Sequence, residues 1–356
     1  MISPQKGTRD SSYATKILGV AAIATFILFL ARSSVAIEYM KRGLKLCAGT
    51  VIPSLFPFMV ISELVVSCGL LTYGKHGRFS GVYAFVLGSI CGFPVGARTV
   101  CSMVDRGEIT PSRASRIFTY CNNPGAAFVI SAVGVSLFGS IKLGIILYGC
   151  VILSAIIIGT ISTLFVKSEN GNFCAFSTAV AHNGDVAKNF THAIQSSANA
   201  MLTVCAFVIF FSAFLGCFGA ILEGIGAPSY FRALIFAVAE ISNGVGAAAE
   251  IDTMPSIILT AAALGWSGLS VHFQIMTLSS NRGISFRTYF IAKACQGLLC
   301  AALAGLAMNF LPFSKNVFNE IGQTEPSEGY KNATLVCTLF FLVSISPIFT
   351  QKSREK

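Results

Sequence analysis

Four short motifs place helix-breaking residues beside polar side chains inside otherwise apolar segments. Proline lacks a backbone N–H and glycine permits dihedral angles that other residues avoid, so such motifs interrupt helices. In apolar surroundings each freed N–H or C=O costs on the order of several kcal/mol unless protein, water or a ligand meets it. We therefore expect a binding site where broken helices meet. The motifs are Gly92-Phe93-Pro94-Val95-Gly96-Ala97, Cys121-Asn122-Asn123-Pro124-Gly125, Ser242-Asn243-Gly244-Val245-Gly246 and Gly265-Trp266-Ser267-Gly268-Leu269-Ser270-Val271-His272.

The first motif carries groups suited to an anion. A helix that starts near Gly96 would direct the positive end of its dipole inward, where an anionic group could bind. Arg98 follows directly. Because a cation at membrane depth is costly, this guanidinium either contacts a ligand or pairs internally with Glu63 or Glu240.

The polar groups of the other motifs each admit two interpretations. Asn122 and Asn123 bind a solute or a cation through their amides, or they close a tight turn between helices. Glu240 either carries a coupling proton or forms an ion pair. His272 either relays a proton or donates to the substrate, or its ring nitrogens are hydrogen-bonded within a helix bundle. Glu240 is the predicted coupling residue. The predicted substrate-binding residues are Gly92, Pro94, Gly96, Arg98, Asn122, Asn123, Gly125, Ser242, Asn243, Ser270, His272 and Gln274.

The composition indicates that these motifs lie in a membrane. Of 356 residues, 54% are hydrophobic and 11% are charged, and the mean hydropathy is +0.73. Such a chain cannot keep a soluble surface free of apolar patches. Glu63 and Lys293 are isolated ionisable residues within spans that could snorkel or pair, and we assign them no role. Since a spanning helix needs about 20 mostly apolar residues, the candidate spans are 17–37, 51–73, 113–138, 141–166, 193–222, 254–280, 286–310 and 333–349.

Two units of the chain repeat the same order of parts. Residues 46–166 and 193–310 each contain an uninterrupted span, a short broken segment that fits a re-entrant hairpin, a span broken at its polar middle and a closing span. Three crossings per unit is an odd number, so the second unit enters the membrane inverted, as in secondary transporters. Flanking these units are an N-terminal helix with an amphipathic linker (1–45), a polar linker (167–192), and a loop with a C-terminal helix (311–356). The predicted fold is an all-α polytopic membrane protein of about eight transmembrane helices with two re-entrant hairpins.

Positive charge predicts the orientation of the chain. With eight spans, the loops on one side carry nearly twice as many Lys and Arg residues as the loops on the other side, which places both termini in the cytoplasm. The N-terminal apolar run ends in Ser34-Val35-Ala36, which also fits a signal-peptide cleavage site. We expect an uncleaved helix because the run is long enough to span.

Several classes of function are disfavoured. The net charge of +10 lies in short loops without interleaved aromatic residues, so we expect no nucleic-acid partner. The 12 cysteines are scattered singly and the four histidines are remote from one another, so neither a metal site nor a disulfide framework is expected. Nucleophile-elbow, phosphate-loop and zinc-protease motifs do not occur, and we expect neither an enzyme nor a cofactor.

The four motifs, in this order, resemble those of YlbJ-type sporulation integral membrane proteins, which carry the nucleoside recognition or Gate domain. The resemblance covers about residues 45–310 and includes Glu240–Gly244 and Gly268–Gln274 as well as the first two motifs. It implies an architecture similar to that of concentrative nucleoside transporters. It also implies a spore-forming Firmicute-type bacterium and placement in the mother-cell-derived outer forespore membrane.

The expected function is that of a secondary transporter for a small anionic solute. The resemblance implies dipicolinate, a flat dianion, moving from the mother cell toward the forespore. Membrane lipid and a coupling proton or sodium ion are the other expected partners, and a homo-oligomer is compatible with the sequence. Two alternatives stay open: a nucleoside or nucleobase transporter, which has less need of a cation at Arg98, and a non-transporting sporulation scaffold, which would tolerate filling of the breaks.

Overall fold

The computed structural model describes residues 7–67, 80–165, 186–251 and 254–310, and every regular element in these ranges is a helix. A π-helical segment, Cys47–Val51, joins the second helix to the third, and another, Phe128–Leu137, follows the sixth. The α-helices are α1 (Gly7–Ala31), α2 (Ser33–Leu46), α3 (Ile52–Ser67), α4 (Ser80–Cys91), α5 (Val95–Asp105), α6 (Pro111–Cys121), α7 (Ile141–Phe165), α8 (Val186–Gly224), α9 (Ser229–Ala239), α10 (Ile241–Ala249), α11 (Met254–Trp266), α12 (Leu269–Ser279) and α13 (Phe286–Phe310).

Several of these helices have the length and composition of membrane spans. Large apolar side chains such as Leu18, Leu202 and Leu298 are exposed on their outer faces, as expected of surfaces that meet lipid tails. The chain is therefore an all-helical, multi-pass membrane protein. Within the described residues, five helical stretches are long and apolar enough to cross a membrane: Ser33–Val65, Ile141–Thr163, Ala187–Gly224, Met254–Ser279 and Phe286–Asn309.

The N-terminal part differs from the sequence-based expectation. The apolar run expected at 17–37 is divided at Arg32, where α1 ends and α2 begins. The span expected at 51–73 starts earlier, because α2, the first π-helical segment and α3 form one continuous helix. The residues assigned to an amphipathic linker thus belong largely to this long helix. The expected C-terminal span, 333–349, lies outside the described residues.

Two pairs of short helices fold back on themselves as tight hairpins. Helices α4 and α5 are joined by three residues, and α9 and α10 are joined by Glu240 alone. A Cβ on Gly88 would lie 3.0 Å from the Cα of Gly96, and a Cβ on Gly244 would lie 2.3 Å from the Cα of Ala237. Glycine is therefore required for the two limbs of each hairpin to approach this closely.

Each hairpin tip packs against the break in the following span. A Cβ on Gly92 would lie 2.8 Å from the backbone nitrogen of Gly125, where the span after α6 is interrupted. A Cβ on Gly268, between α11 and α12, would lie 2.9 Å from the backbone nitrogen of Ile241. Both glycines have positive φ, +81° for Gly92 and +85° for Gly268. The same contact between tip and break therefore occurs twice in the chain.

Replacing Gly244 by alanine tests the close packing of the second hairpin. The new methyl group would collide with the α9 backbone, so we expect Gly244→Ala to destabilise the protein by about 1–3 kcal/mol. Gly246→Ala is the matched control on the same helix, because a Cβ there meets nothing within 4 Å. Thermal unfolding of the detergent-solubilised variants, followed by size-exclusion chromatography, measures the difference. Equal unfolding temperatures would contradict the packing.

Candidate functional site

Three cavities follow one another along the continuous helix formed by α2 and α3. Residues between Tyr39 and Thr50 line a cavity of about 380 Å³, which we call the Arg232 cavity after its arginine from α9. Val51 and Leu55 line a small central cavity of about 40 Å³. Residues between Met59 and Glu63 line a cavity of about 250 Å³, which we call the Arg98 cavity.

Helix α8 passes the same three cavities in the opposite direction. Ser196 contacts Arg98, a lining residue of the Arg98 cavity. Val204 and Val208 line the central cavity, and α8 residues from Ser212 to Glu223 line the Arg232 cavity. At 1.5 Å per residue, the 27 steps from Ser196 to Glu223 cover about 40 Å. This length exceeds the roughly 30 Å of a bilayer's hydrocarbon core, so the row of cavities from end to end extends over about a membrane's thickness.

The starting ends of four half-helices meet at the central cavity. Two of the starts contribute lining residues that precede a helix: Phe93 before α5, and Pro124 and Gly125 before the helix that resumes at Ala126. The other two contribute lining residues from a first helical turn, Ser242 in α10 and Ser270 in α12. The N-terminal ends of helices carry unpaired N–H groups and partial positive charge. They therefore provide a location that favours an anion.

The central cavity is narrow in this structure. Its volume of about 40 Å³ accommodates about one to three water molecules but no aromatic solute. Apolar side chains such as Val51, Leu55 and Val208 form much of its wall. The two larger cavities therefore have a barrier between them.

The predicted site residues divide into four groups. Gly92, Pro94 and Gly96 form the first hairpin tip, where a Cβ on Gly96 would lie 2.1 Å from the carbonyl oxygen of Cys121. Arg98 lines the Arg98 cavity, and Asn243 lines the Arg232 cavity. Asn122, Asn123 and His272 are buried and are absent from the lining of all three cavities. The predicted residues that line the central cavity are Gly125, Glu240, Ser242, Ser270 and Gln274.

Arg98 pairs with Glu63 and not with Glu240. One guanidinium nitrogen lies 3.4 Å from a carboxylate oxygen of Glu63. The side chain also donates to the carbonyl of Ser196 at 3.3 Å and to the Ser196 hydroxyl. About a fifth of the Arg98 side chain is exposed toward the cavity, so a ligand could still reach it.

Glu240 caps the helix that follows it. Its Oε2 accepts hydrogen bonds from the backbone N–H of Asn243 at 2.8 Å and from the Asn243 side-chain amide at 2.7 Å. Asn243 in turn exchanges a hydrogen bond with Ser212 on α8. The carboxylate thus fixes the start of α10 and links the second hairpin to α8 through Asn243.

Side chains of α13 hydrogen-bond to Asn122 and Asn123, the two asparagines in the break after α6. Lys293 donates to the carbonyl oxygen of Asn122 at 2.9 Å and to Oε1 of Gln296 at 2.8 Å. Gln296 donates to Oδ1 of Asn123 at 2.9 Å, and the Asn123 amide donates to Ser89 at 3.3 Å. The sequence-based interpretation gave Lys293 no role and did not single out Gln296. Their spacing of three residues, on one face of a helix, was the available signal.

His272 lies in an aromatic enclosure. Its Nδ1 shares a hydrogen bond of 3.1 Å with the hydroxyl of Tyr289, and its ring lies edge-to-face with Trp266 at 4.3 Å between centroids. Nε2 is buried without a hydrogen-bond partner among the described residues. The ring is thus placed behind the central cavity.

Ion pairs surround both outer cavities. In the Arg98 cavity, Arg282 donates to both carboxylate oxygens of Asp105 at 2.8 and 2.9 Å, which ties the region after α12 to the end of α5. In the Arg232 cavity, Arg232 pairs with Glu223 on α8 and lies 3.6 Å from Glu250 after α10. Each outer cavity is therefore bridged by charged groups from different helices.

No family model and no solved structure matches the chain. It is similar to the sporulation integral membrane protein YlbJ of Bacillus subtilis (strain 168), with 26% identity over 387 aligned residues that cover 91% of this chain and 95% of the relative. The match therefore extends over nearly the full length of both proteins. It agrees with the resemblance of the four broken-helix motifs to those of YlbJ-type sporulation integral membrane proteins, to which this chain is similar over most of its length.

Proposed function

We propose that the chain is a secondary transporter that moves a small anionic solute through the row of three cavities. The observation that carries this proposal is the order of the Arg232, central and Arg98 cavities along α2–α3. Helix α8 lines the first two cavities and contacts Arg98 of the third. A pathway interrupted by a narrow centre is the arrangement that alternating access requires. A scaffold has no need of such a pathway.

The wall of the pathway supports an inverted repeat. From the central cavity, α5 leads to Asp105 in the Arg98 cavity, whereas α10 leads toward Glu250 in the Arg232 cavity. The half-helices that follow the two breaks also run to opposite outer cavities. Helix α12 runs from the central cavity to Leu278 in the Arg98 cavity, and the segment Phe128–Leu137 runs to the Arg232 cavity. Each outer cavity thus combines a hairpin limb of one unit with a broken span of the other.

This exchange supports a specific membrane topology. We propose eight crossings with α4–α5 and α9–α10 as re-entrant hairpins, an architecture similar to that of concentrative nucleoside transporters. Both termini and the Arg98 cavity would then lie on the cytoplasmic side. Ion pairs such as Arg98–Glu63 at one end and Arg232–Glu223 at the other would open alternately.

The solute is proposed from the charge of the pathway and from the relative. Three helix starts and Arg98 favour an anion, whereas the carboxylate of Glu240 already caps the fourth start, and a guanidinium suits a carboxylate. The relative's name places it in sporulation. We therefore propose dipicolinate, carried from the mother cell toward the forespore across the mother-cell-derived outer forespore membrane. Uptake of radiolabelled dipicolinate into proteoliposomes tests this function.

Cysteine labelling tests the opposite placement of the two outer cavities. Ser136 lines the Arg232 cavity and Ser102 lines the Arg98 cavity. We expect a membrane-impermeant maleimide to label Ser136→Cys in intact cells, and Ser102→Cys only after the cells are permeabilised. The unsubstituted chain gives the background from native cysteines. Labelling of both variants in intact cells would contradict the proposed topology.

Filling the central cavity should stop transport without unfolding the protein. Ser270 lines this cavity, and Thr277 is exposed on the same helix, α12. We expect Ser270→Leu to lower dipicolinate uptake by at least about tenfold, because its added volume blocks the junction of the half-helices. Thr277→Leu should transport like the wild type at matched protein content. If both variants transport normally, the solute does not pass through the central cavity.

A pair of variants distinguishes two roles of Arg98: binding of the transported anion, or only an ion pair with Glu63. Arg98→Gln removes the cation, whereas Glu63→Gln removes its partner and leaves the cation in place. If Arg98 contacts the anion, Arg98→Gln should reduce dipicolinate uptake by about tenfold or more, as expected for a lost charge-assisted contact, while Glu63→Gln retains it. Equal losses in both variants would indicate a structural ion pair. Nucleoside uptake by Arg98→Gln, with no dipicolinate uptake by the wild type, would favour the nucleoside alternative.

A further inference from the structure

Lys293 is a buried cation without a carboxylate partner. Its side chain has no exposed surface, and Nζ donates to the carbonyl of Asn122 and to Oε1 of Gln296. Within the described ranges, none of the Asp and Glu side chains forms a salt bridge with it. Burying an uncompensated charge costs several kcal/mol, so such a residue in a membrane is a candidate for function.

The two acceptors form a cation position at the end of a broken helix. Asn122 is the C-terminal cap of α6, where the chain leaves the helix. This end of a helix carries partial negative charge. In transporters with discontinuous helices, unwound carbonyls and half-helix C-termini coordinate the coupling ion. Here an ammonium group attached to α13 occupies that position.

The position is adjacent to the central cavity. Asn122 lies two residues before Pro124, which lines that cavity, so their Cα atoms are within about 7 Å of each other. An anion in the central cavity would therefore be close to the buried charge. Each charge lowers the desolvation cost of the other in this low-dielectric setting.

Several other titratable groups lie around Lys293. Cys121 on α6, Cys300 on α13 and His272 on α12 interact with it electrostatically. Tyr289 and Cys150 lie in the next layer, hydrogen-bonded to His272 and in electrostatic range of Cys300, respectively. Helix α11, which also packs against α13, contains no titratable side chain. Lys293 thus stands out as the cationic group of this layer.

We propose that Lys293 is the proton-binding residue of transport, and that its ammonium replaces a sodium ion at the end of α6. This inference rests on the proposed transport function. When an outer cavity opens, one proton passes from Nζ to an entering water molecule, which leaves a neutral amine and a hydronium ion. Protonation from water on the other side restores the ammonium. Since anion binding and protonation favour each other equally, the solute and one proton move together.

The test is dipicolinate uptake by proteoliposomes under imposed proton or sodium gradients. We expect a proton gradient, and not a sodium gradient, to accelerate uptake by the wild type, by up to about tenfold per pH unit for one coupled proton. Lys293→Gln should lose this acceleration while it retains exchange of labelled for unlabelled solute. Lys142→Gln, which removes an exposed lysine on α7, should behave like the wild type. Glu240→Gln tests the sequence-based alternative: we expect its uptake to fall because Glu240 lines the central cavity, whereas the remaining uptake should still rise with the proton gradient.

Each remaining outcome decides between the two proposals. Proton-driven uptake that persists in Lys293→Gln would overturn the role of Lys293 but leave the transporter intact. A wild type with neither uptake nor exchange would overturn the transport function itself. If Lys293→Gln does not fold, Lys293→Arg keeps the charge without a titratable amine and should exchange solute independently of pH. Acceleration of the wild type by sodium alone would also overturn the inference.

Discussion

Broken helices in an apolar medium can exist only if their free backbone groups find partners, and the first break meets this constraint through side chains from a distant helix. The C-terminal end of α6 is met by Lys293, whose neighbour Gln296 also holds Asn123. The Asn123 amide returns to the carbonyl of Tyr120 at 2.8 Å. The groups that satisfy this interruption lie next in sequence to Pro124 and Gly125, which line the central cavity, or hydrogen-bond to the residues that do. Satisfying the backbone and shaping the surroundings of the central cavity are therefore the same structural problem here.

Close backbone contact is the second condition for this arrangement. The hairpin tips reach the breaks only because Gly92, Gly125 and Gly268 lack side chains at the contact. The contact brings the starts of α5 and α10 to the cavity between them. Two chemically different tips, one built around Pro94 and one around Glu240, achieve this placement. The shared feature of the two units is thus the contact, and the sequences at the tips are free to differ.

Local sequence was sufficient to find the interruptions but insufficient to find their partners. Proline and glycine next to asparagine are short-range signals, and the divisions at Asn122–Gly125 and Ser267–Gly268 are observed where they were predicted. The partners of the first break lie more than 170 residues away on α13, and no local pattern encodes that contact. The choice of Glu63 as partner for Arg98 depends likewise on the packing of α3 beside α5. The linker before residue 46 was assigned to a separate region because its amphipathic composition hides the continuity of α2 with α3.

The 39 residues of α8 have a consequence for the membrane around the protein. A straight helix of this length measures about 58 Å, nearly twice the hydrocarbon thickness of a bilayer. Its first turns contain Lys188, Asn189 and Thr191, so this end is suited to water and headgroups, and hydrophobic mismatch is relieved by tilt or by protrusion. Helix α8 near Ser196 then continues past the lipid tails on that side. The local lipid thickness therefore acts on the tilt of a helix that lines the central and Arg232 cavities and contacts Arg98.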